Sequence, residues 1–478
     1  MKIMKKYSII TVLLAAFLFV FQGCSLDEDP RTFIRPDAYF TNPDSYDAAV
    51  MGIYSNVPTL WSSNCMMMSE MFSDICAEPS PSFEQALPTY QNNPSPVYYH
   101  TRQMWSNSYM IIKDANYILS ELSDDQAALI AEARFLRAFA YFQLVQYYGD
   151  VPLRTVALQN YTDLQIPRSP QEDVYNTIIE DLKYAETNLK PDAPQQGRVY
   201  QLVATALLAR VYLTMAGNPM NQTARYKDAA DCATKVISSG KFTLLDDYAD
   251  VFHNTVYTTE SIWEKLYDTA LGGNGLHTIT STADGYKPIL LPASWFISSF
   301  PQGDRRKEWG IQQNYTDPNG KIMAPFFQKF VNNSFTDDNI SSSGSSLLNY
   351  TLPYIRLAEM YLIAAEAENE QNGPANAYQY VNKIRWRART DKTNPVQVPD
   401  LGGLTKEQLR DSIYMERKRE LHLEGSTWFD LKRTNTLGRI QTIRGAGLAN
   451  PIGTYNQTWL IPDTEITNNG IAQNPLYK

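Results

Sequence analysis

The stretch from Glu132 to Leu153, EARFLRAFAYFQLVQYYGDVPL, constrains the fold more than any other part of this chain. Phe135, Leu136, Phe139, Tyr141, Phe142, Leu144, Val145, Tyr147 and Tyr148 are too many and too closely spaced to share one stripe of a helix. A helix that is apolar on every face is buried by neighbours on several sides. The run stops at Gly149, and Pro152 follows, which reads as a helix end and a rigid turn. The stretch therefore predicts a core of helix packed among helices.

The same pattern predicts helices at 43–56, 103–122, 125–148, 170–189, 199–216, 225–239, 354–371, 374–388 and 405–424. Start signals accompany several of them: Asn42-Pro43-Asp44, Ser169-Pro170 with Glu172, and Thr405 with Gln408 as a capping box. A short motif recurs on three. Ala138 and Tyr141 stand in LRAFAY, Ala209 and Tyr212 in LLARVY, and Ala358 and Tyr361 in RLAEMY. The small residue lets a second helix approach, and the tyrosine one turn later fills the space beside it. Ala229 with Ala233, and Ala377 with Val381, mark the helices that follow the last two. The spacing of 71 residues between Ala138 and Ala209 is close to two tetratricopeptide repeats of ~34 residues. The 149 residues from Ala209 to Ala358 imply an insertion. The expected fold is mostly α: a superhelix of tetratricopeptide-like helix pairs with irregular loop insertions and a few short strands.

Two regions break the helical pattern. Residues 57–102 are rich in proline, serine and asparagine. Residues 240–350 are rich in Gly, Asn, Ser and Thr, with Asp317-Pro318-Asn319-Gly320 as a hairpin turn. Long irregular segments on a rigid scaffold are the usual seat of function.

At the N-terminus, Lys2, Lys5 and Lys6 precede an apolar run from Ile9 to Phe21, the pattern of an export signal and too short to span a bilayer. Phe21-Gln22-Gly23-Cys24 resembles a bacterial lipobox, with Phe21 and Gln22 departing from its usual residues. The resemblance implies cleavage after residue 23 and a lipid on Cys24. Asp27, Glu28 and Asp29 then form an acidic tether, which resembles the surface-export signal of Bacteroidetes lipoproteins. The predicted organisation is 1–23 signal peptide, 24–42 lipidated cysteine and tether, and 43–478 a single domain. Without the three lysines of the signal, 39 basic residues face 51 acidic ones, a net charge of −12. Phosphate recognition needs clustered Lys and Arg, so nucleic acid is excluded as a partner. Cys65, Cys76 and Cys232 remain, an odd number that argues for unpaired buried thiols over a disulfide framework.

The order and spacing of four landmarks resemble the SusD/RagB family of outer-membrane lipoproteins: EARFLRAFAYFQLVQYYGDVPL at 132–153, PYIRLAEMYLIAAEA at 353–367, ERKRELHLEGSTWFDLKR at 416–433 and WLIPDTEITNNGIAQNPLY at 459–477. The resemblance covers essentially the whole chain. It implies a cell-surface protein in the outer membrane that binds a glycan and works with a SusC-like TonB-dependent transporter in its uptake. Peptide capture within the same family, and a scaffold of the transporter complex that binds no nutrient, are the alternatives.

No enzymatic signature stands against that reading. His100, His253, His277 and His422 form no HExxH or other close metal pair, and GxSxG, P-loop and GxGxxG motifs are lacking. No cofactor is expected, and a structural calcium held by separated loops would be invisible at this level. Sugar rings stack their C–H faces on aromatic side chains while polar groups bond the hydroxyls. The irregular regions supply Trp61, Tyr90, Tyr98 and Tyr99, then Tyr286, Trp295 and Trp309, as candidate ligand contacts, with Trp61, Tyr98 and Tyr99 the foremost. Trp105, Trp263, Trp386, Trp428 and Trp459 lie in helical or motif-bearing frames and are expected to pack. ERKRE at 416–420 is expected to be a solvated helix face, with ion pairs locking its helix to the body.

Overall fold

The computed structural model describes residues 43–60, 69–70, 72–77, 96–158, 165–252, 257–267, 290–316, 320–330, 350–444 and 457–475. Contacts divide the chain into Met1–Tyr46 and Asp47–Lys478. The signal, Cys24 and the acidic tether lie outside the described residues.

Six long helices come first: α1 (Pro43–Leu60), α2 (Pro96–Glu121), α3 (Ala127–Tyr148), α4 (Gln171–Asn188), α5 (Gln201–Ala216) and α6 (Arg225–Ser238). Strand β1 (Ser261–Tyr267) opens the insertion, which holds α7 (Ser294–Ser299), α8 (Arg305–Gly310), β2 (Ile311–Gln312) and β3 (Phe326–Phe327). β4 (Tyr350–Arg356) closes it. Then follow α9 (Leu357–Asn372), α10 (Pro374–Ala388), α11 (Lys406–Leu421), α12 (Thr427–Arg433), α13 (Gly438–Arg444) and α14 (Asp463–Asn469). From α2 to α6 each helix packs on its successor, and α6 then packs on α9, which carries α10 and α11. The helical array therefore runs straight past the insertion. It is mostly α, with two two-stranded sheets among the described residues.

The opening stretch is the centre of this array. Phe135, Leu136, Ala138, Phe139, Tyr141, Phe142, Leu144 and Tyr148 are all fully buried. Glu132 and Arg137 go in as well, because each finds an opposite charge. Glu132 is held by the Arg198 fork at 2.9 and 2.7 Å, and Arg137 by Asp181 at 2.8 Å through both nitrogens. Gly149 ends α3 at φ 73°, where its N–H bonds the Val145 carbonyl at 3.1 Å. The turn then serves its neighbours. Asp150 Oδ1 accepts the Gln171 N–H at 3.0 Å and so caps α4, in place of the Ser169 start expected there. The Tyr141 hydroxyl donates to the Arg154 carbonyl at 2.7 Å.

The repeated motif packs as anticipated. Ala138, Ala209 and Ala358 have no exposed surface, and Tyr141 and Tyr212 are buried beside their partner helices. Across the insertion, the Arg210 fork on α5 holds Glu359 on α9 at 2.8 and 2.5 Å. The Thr405–Gln408 capping box forms in full.

Three expectations need correction. First, helix reaches further into the two edges of the region 57–102 than its prolines suggest. α1 continues to Leu60 through Pro58, and α2 starts at Pro96. A proline in the first helical turn sacrifices no intrahelical bond, so it begins a helix as readily as it ends one. Second, Trp386 is 37% exposed on α10, where the ammonium groups of Lys383 and Lys392 lie 5.6 and 5.8 Å from its ring. Third, ERKRE is not a solvated face. Glu416 and Glu420 have no exposed surface, and Arg417 and Lys418 are buried. These charges belong to an internal cluster. Arg356 on β4 reaches Glu260, Glu420 and Glu424 at 2.6–2.7 Å, Arg387 also pairs with Glu260 and Glu420, and Arg306 on α8 pairs with Asp304 and Glu416. The ion-pair half of the expectation therefore stands: α11 is locked to the body and to the insertion.

Candidate ligand site

The two irregular regions, far apart in sequence, meet. Residues 72–77 from the first run antiparallel to 290–293 from the second. The Ala77 N–H donates to the Leu291 carbonyl at 2.7 Å, and the Ala293 N–H to the Ile75 carbonyl at 2.8 Å, around a bridge between Cys76 and Pro292. The segments from which the candidate aromatics arise thus share one anchor.

Trp295, on the first turn of α7, sits at this junction half-buried. Its indole N–H donates to the Asp74 carbonyl at 2.8 Å. The Lys418 ammonium and the Arg439 guanidinium lie 5.7 and 5.4 Å from its ring. Both cations also hold the Asp74 carboxylate, Lys418 at 2.5 Å and Arg439 at 3.0 Å, through the same Oδ2. Asp74 Oδ1 is buried with no hydrogen-bond partner among the described residues, as is Glu70 Oε2 close by in sequence. Burial pushes the Glu70 carboxyl up to about 7, against hydrogen bonds from Thr427 that act in the other direction. Burial likewise holds the Lys418 ammonium below its usual range, with Asp74 opposing.

A cleft of about 220 Å³ between α11 and α12–α13 adjoins this cluster, lined by Tyr414, Lys418, Leu431, Thr436 and Arg439 among others. The cleft brings aromatic, hydroxyl and charged groups together and meets the junction through Lys418 and Arg439. The arrangement can stack a flat apolar face and bond hydroxyls. Among the described residues, no group of three or more His, Cys, Asp or Glu is placed to hold a metal ion.

The other candidates divide cleanly. Trp309 is 4% exposed, and its N–H donates to the Lys329 carbonyl at 3.1 Å, so burial leaves its ring no surface for a ligand. Tyr98 and Tyr99 fall in the first turn of α2, and their side chains lie outside the described residues. Trp61, Tyr90 and Tyr286 also lie outside them, as does Cys65. Cys76 is buried. Asp317 to Asn319 are outside as well, but the flanks of that turn pair antiparallel, Thr316 with Ile322. Asp74, Lys418 and Arg439 were not foreseen. Asp74 and Lys418 are 344 residues apart, and nothing local marks them as partners.

Two family models match. One, described as "SusD family", covers residues 171–477, and one described as "Starch-binding associating with outer membrane" covers 49–213. The first of these spans more than half of the chain, which therefore belongs to the SusD family. SusD-like protein P25 of Formosa agariphila is 27% identical over 86% of this chain and 86% of its own. A SusD superfamily protein from Parabacteroides distasonis superimposes with a TM-score of 0.78 at 22% identity, covering 90% of this chain and 98% of that one. Surface glycan-binding protein A from Bacteroides thetaiotaomicron does so with a TM-score of 0.75 at 20% identity, covering 91% and 100%. These two structural likenesses bear on the fold.

Proposed function

We propose that this chain captures a glycan where the 72–77 and 290–295 segments meet, and hands it to a SusC-like TonB-dependent transporter in the outer membrane. The observation that carries the reading is the shared anchor at Cys76 and Pro292. It sets two loop regions side by side, in a chain whose residues 49–213 match a model described as "Starch-binding associating with outer membrane". Trp295 supplies a partly open aromatic ring, and Lys418 and Arg439 supply polar groups beside it. Trp61, Tyr90, Tyr98, Tyr99 and Tyr286 would add further stacking faces from the loops that this anchor serves. The protein binds and releases without turnover, held at the cell surface by a lipid on Cys24.

Native gels cast with soluble polysaccharides test the binding step. At least one glycan should retard the mature protein, and Trp295→Ala should weaken that retardation about tenfold, the loss of one stacked ring at ~1–1.5 kcal/mol. A protein that no glycan retards, but that binds peptides in a calorimetric screen, sinks the glycan reading. Copurification of a TonB-dependent transporter with the tagged protein tests the partner, and release from the membrane by Cys24→Ala tests the anchor.

A further inference from the structure

A second cleft lies on other elements and shares no residue with the junction at Trp295. It has a volume of about 270 Å³. Its floor is α2, through Trp105 and Tyr109. One wall is the segment after the Gly149 turn, through Arg154 and Leu158. The opposite wall is the C-terminal tail, through Glu465 and Ile471.

The walls are built firmly. The Tyr109 hydroxyl donates to the Pro152 carbonyl at 2.7 Å, and Asn116 Nδ2 to the Arg154 carbonyl at 3.0 Å, which fixes the segment along α2. The tail is fixed by Gln165 to the Asn468 carbonyl and Arg168 to the Gln473 carbonyl, both at 3.4 Å, and by the two bonds between Gln473 and Ile461.

A second observation concerns the elements that form the cleft and meets it at Leu158. Met110, Tyr117, Val156 and Leu158 are 43%, 39%, 74% and 44% exposed. All four belong to α2 or to the segment beside it. Large apolar side chains left in water on two touching elements point to a surface that is covered part of the time.

The lining decides the ligand class. Tyr109 and Leu158 give apolar contact over the buried Trp105 and Ile471, and Lys113, Arg154, Glu465 and Asn469 bring polar groups to the same lining. Both signs of charge are therefore present. An anion would meet Glu465, and a wholly apolar ligand would strip water from the charged rim at a cost. A sugar hydroxyl is donor and acceptor at once and satisfies both kinds of group. The volume lies just under the range of ~300–1,000 Å³ that holds drug-sized ligands, so one ring fits and a chain must continue outside. We propose that this cleft is an auxiliary subsite for a single neutral sugar ring of an oligosaccharide. The proposal rests on the glycan reading above and adds a second point of attachment to it.

The test uses the mature full-length protein with maltohexaose, laminarihexaose, xylohexaose and mannohexaose. Hydroxyl-radical footprinting reads protection of Tyr109 and Leu158 separately from protection of Trp295. At least one hexaose should protect the cleft residues. Ser106→Trp, which fills the cleft from an exposed position on α2, should abolish that protection and leave protection at Trp295 unchanged. Leu158→Asp, also at an exposed position, should weaken it about tenfold. Unaltered melting of both variants establishes that they fold. Protection at Trp295 with none in the cleft overturns the subsite and spares the junction. Cleft protection that survives Ser106→Trp overturns it too, as does protection by peptides in place of sugars. Protection by none of the hexaoses at either place overturns both readings.

Discussion

Replacing Arg356 by methionine tests the idea that the buried charges around α11 form one balanced unit. Arg306, Lys329, Arg356, Arg385 and Arg387 contribute five buried positive charges, and Glu260, Asp304, Glu416, Glu420 and Glu424 five negative ones, with the partly exposed Arg419 also pairing with Glu416 at the edge. Arg356 is the most connected, with five hydrogen bonds of 2.6–2.9 Å to Glu260, to the side chain and carbonyl of Glu420, and to Glu424. Burial alone would raise the Glu420 and Glu424 carboxyls, but Arg356, with Arg387 at Glu420 and Lys329 at Glu424, holds both below the usual range. Methionine fills much of the same space but leaves an uncompensated negative charge inside the protein. Removing one partner of a buried pair costs about 3–5 kcal/mol. At ~2.1 cal/mol/K per residue over roughly 430 packed residues, this lowers Tm by about 3–6 °C. Urea denaturation followed by tryptophan fluorescence measures the free energy, and calorimetry the midpoint. The double variant Arg356→Met with Glu424→Leu restores charge balance and should recover about 1–3 kcal/mol relative to simple addition of the two single effects. The reasoning fails if Arg356→Met costs less than about 1 kcal/mol, or if the double variant is merely additive.

Three further predictions follow from other groups. Burial tends to raise the Glu416 carboxyl, but Arg306, Arg385 and Arg419 outweigh it and bring it down to about 2. A depressed carboxyl stabilises the fold above its unfolded value near ~4.5 and loses that contribution as pH falls toward 2, so a urea midpoint measured against pH should drop across this window, and less so in Glu416→Gln. Glu70 has the opposite sign. Its carboxyl, raised to about 7 by burial, favours the fold at acid pH and loses that advantage between ~4.5 and 7. Glu70→Gln should therefore match the parent at pH 4 and exceed it by roughly 2–3 kcal/mol at pH 8; equal stability at pH 8 contradicts this. At Gly217, which ends α5, a Cβ would come within 2.3 Å of the Arg433 carbonyl oxygen on α12. Backbone cannot swing aside, so Gly217→Ala should cost about 1–3 kcal/mol in the same denaturation assay.

What could be read from the chain was whatever a periodic pattern records. The long helices announced themselves because several turns repeat the same spacing, and the Ala-x-x-Tyr pairs announced which faces meet. α7, α8, α12, α13 and α14 went unread because six or seven residues hold under two turns, too few for a period to emerge. The burial of ERKRE was hidden for a different reason. A charged run looks solvated until its partners are known, and those partners, Arg306, Arg356 and Arg387, come from other elements. The site was legible as two regions but not as one place. Trp295 could be singled out by its neighbours in sequence, whereas Asp74, Lys418 and Arg439 become a cluster only when three separate segments are brought together. Trp309 and Trp386 were exchanged for a related reason: helical context tells where a side chain starts, not what lies over it.

The pairing of β1 with β4 has a consequence for how such a protein can change. Leu266 stands opposite Thr351, and Ser261 opposite Arg356, so the chain leaves the helical array and re-enters it through the same narrow neck. Between departure and return, α8 is fastened to the frame by Arg306, and the 290–293 segment by its bridge to 75–77. The sequence on either side of these fastenings is therefore tied at both ends. Lengthening a stretch whose ends are already held costs little, about 0.6 kcal/mol for each doubling. A lineage could rewrite these stretches in length and composition, and so exchange one ligand for another, while the interhelical charges and the Gly149 turn stay as they are. The neck makes the insertion a replaceable part.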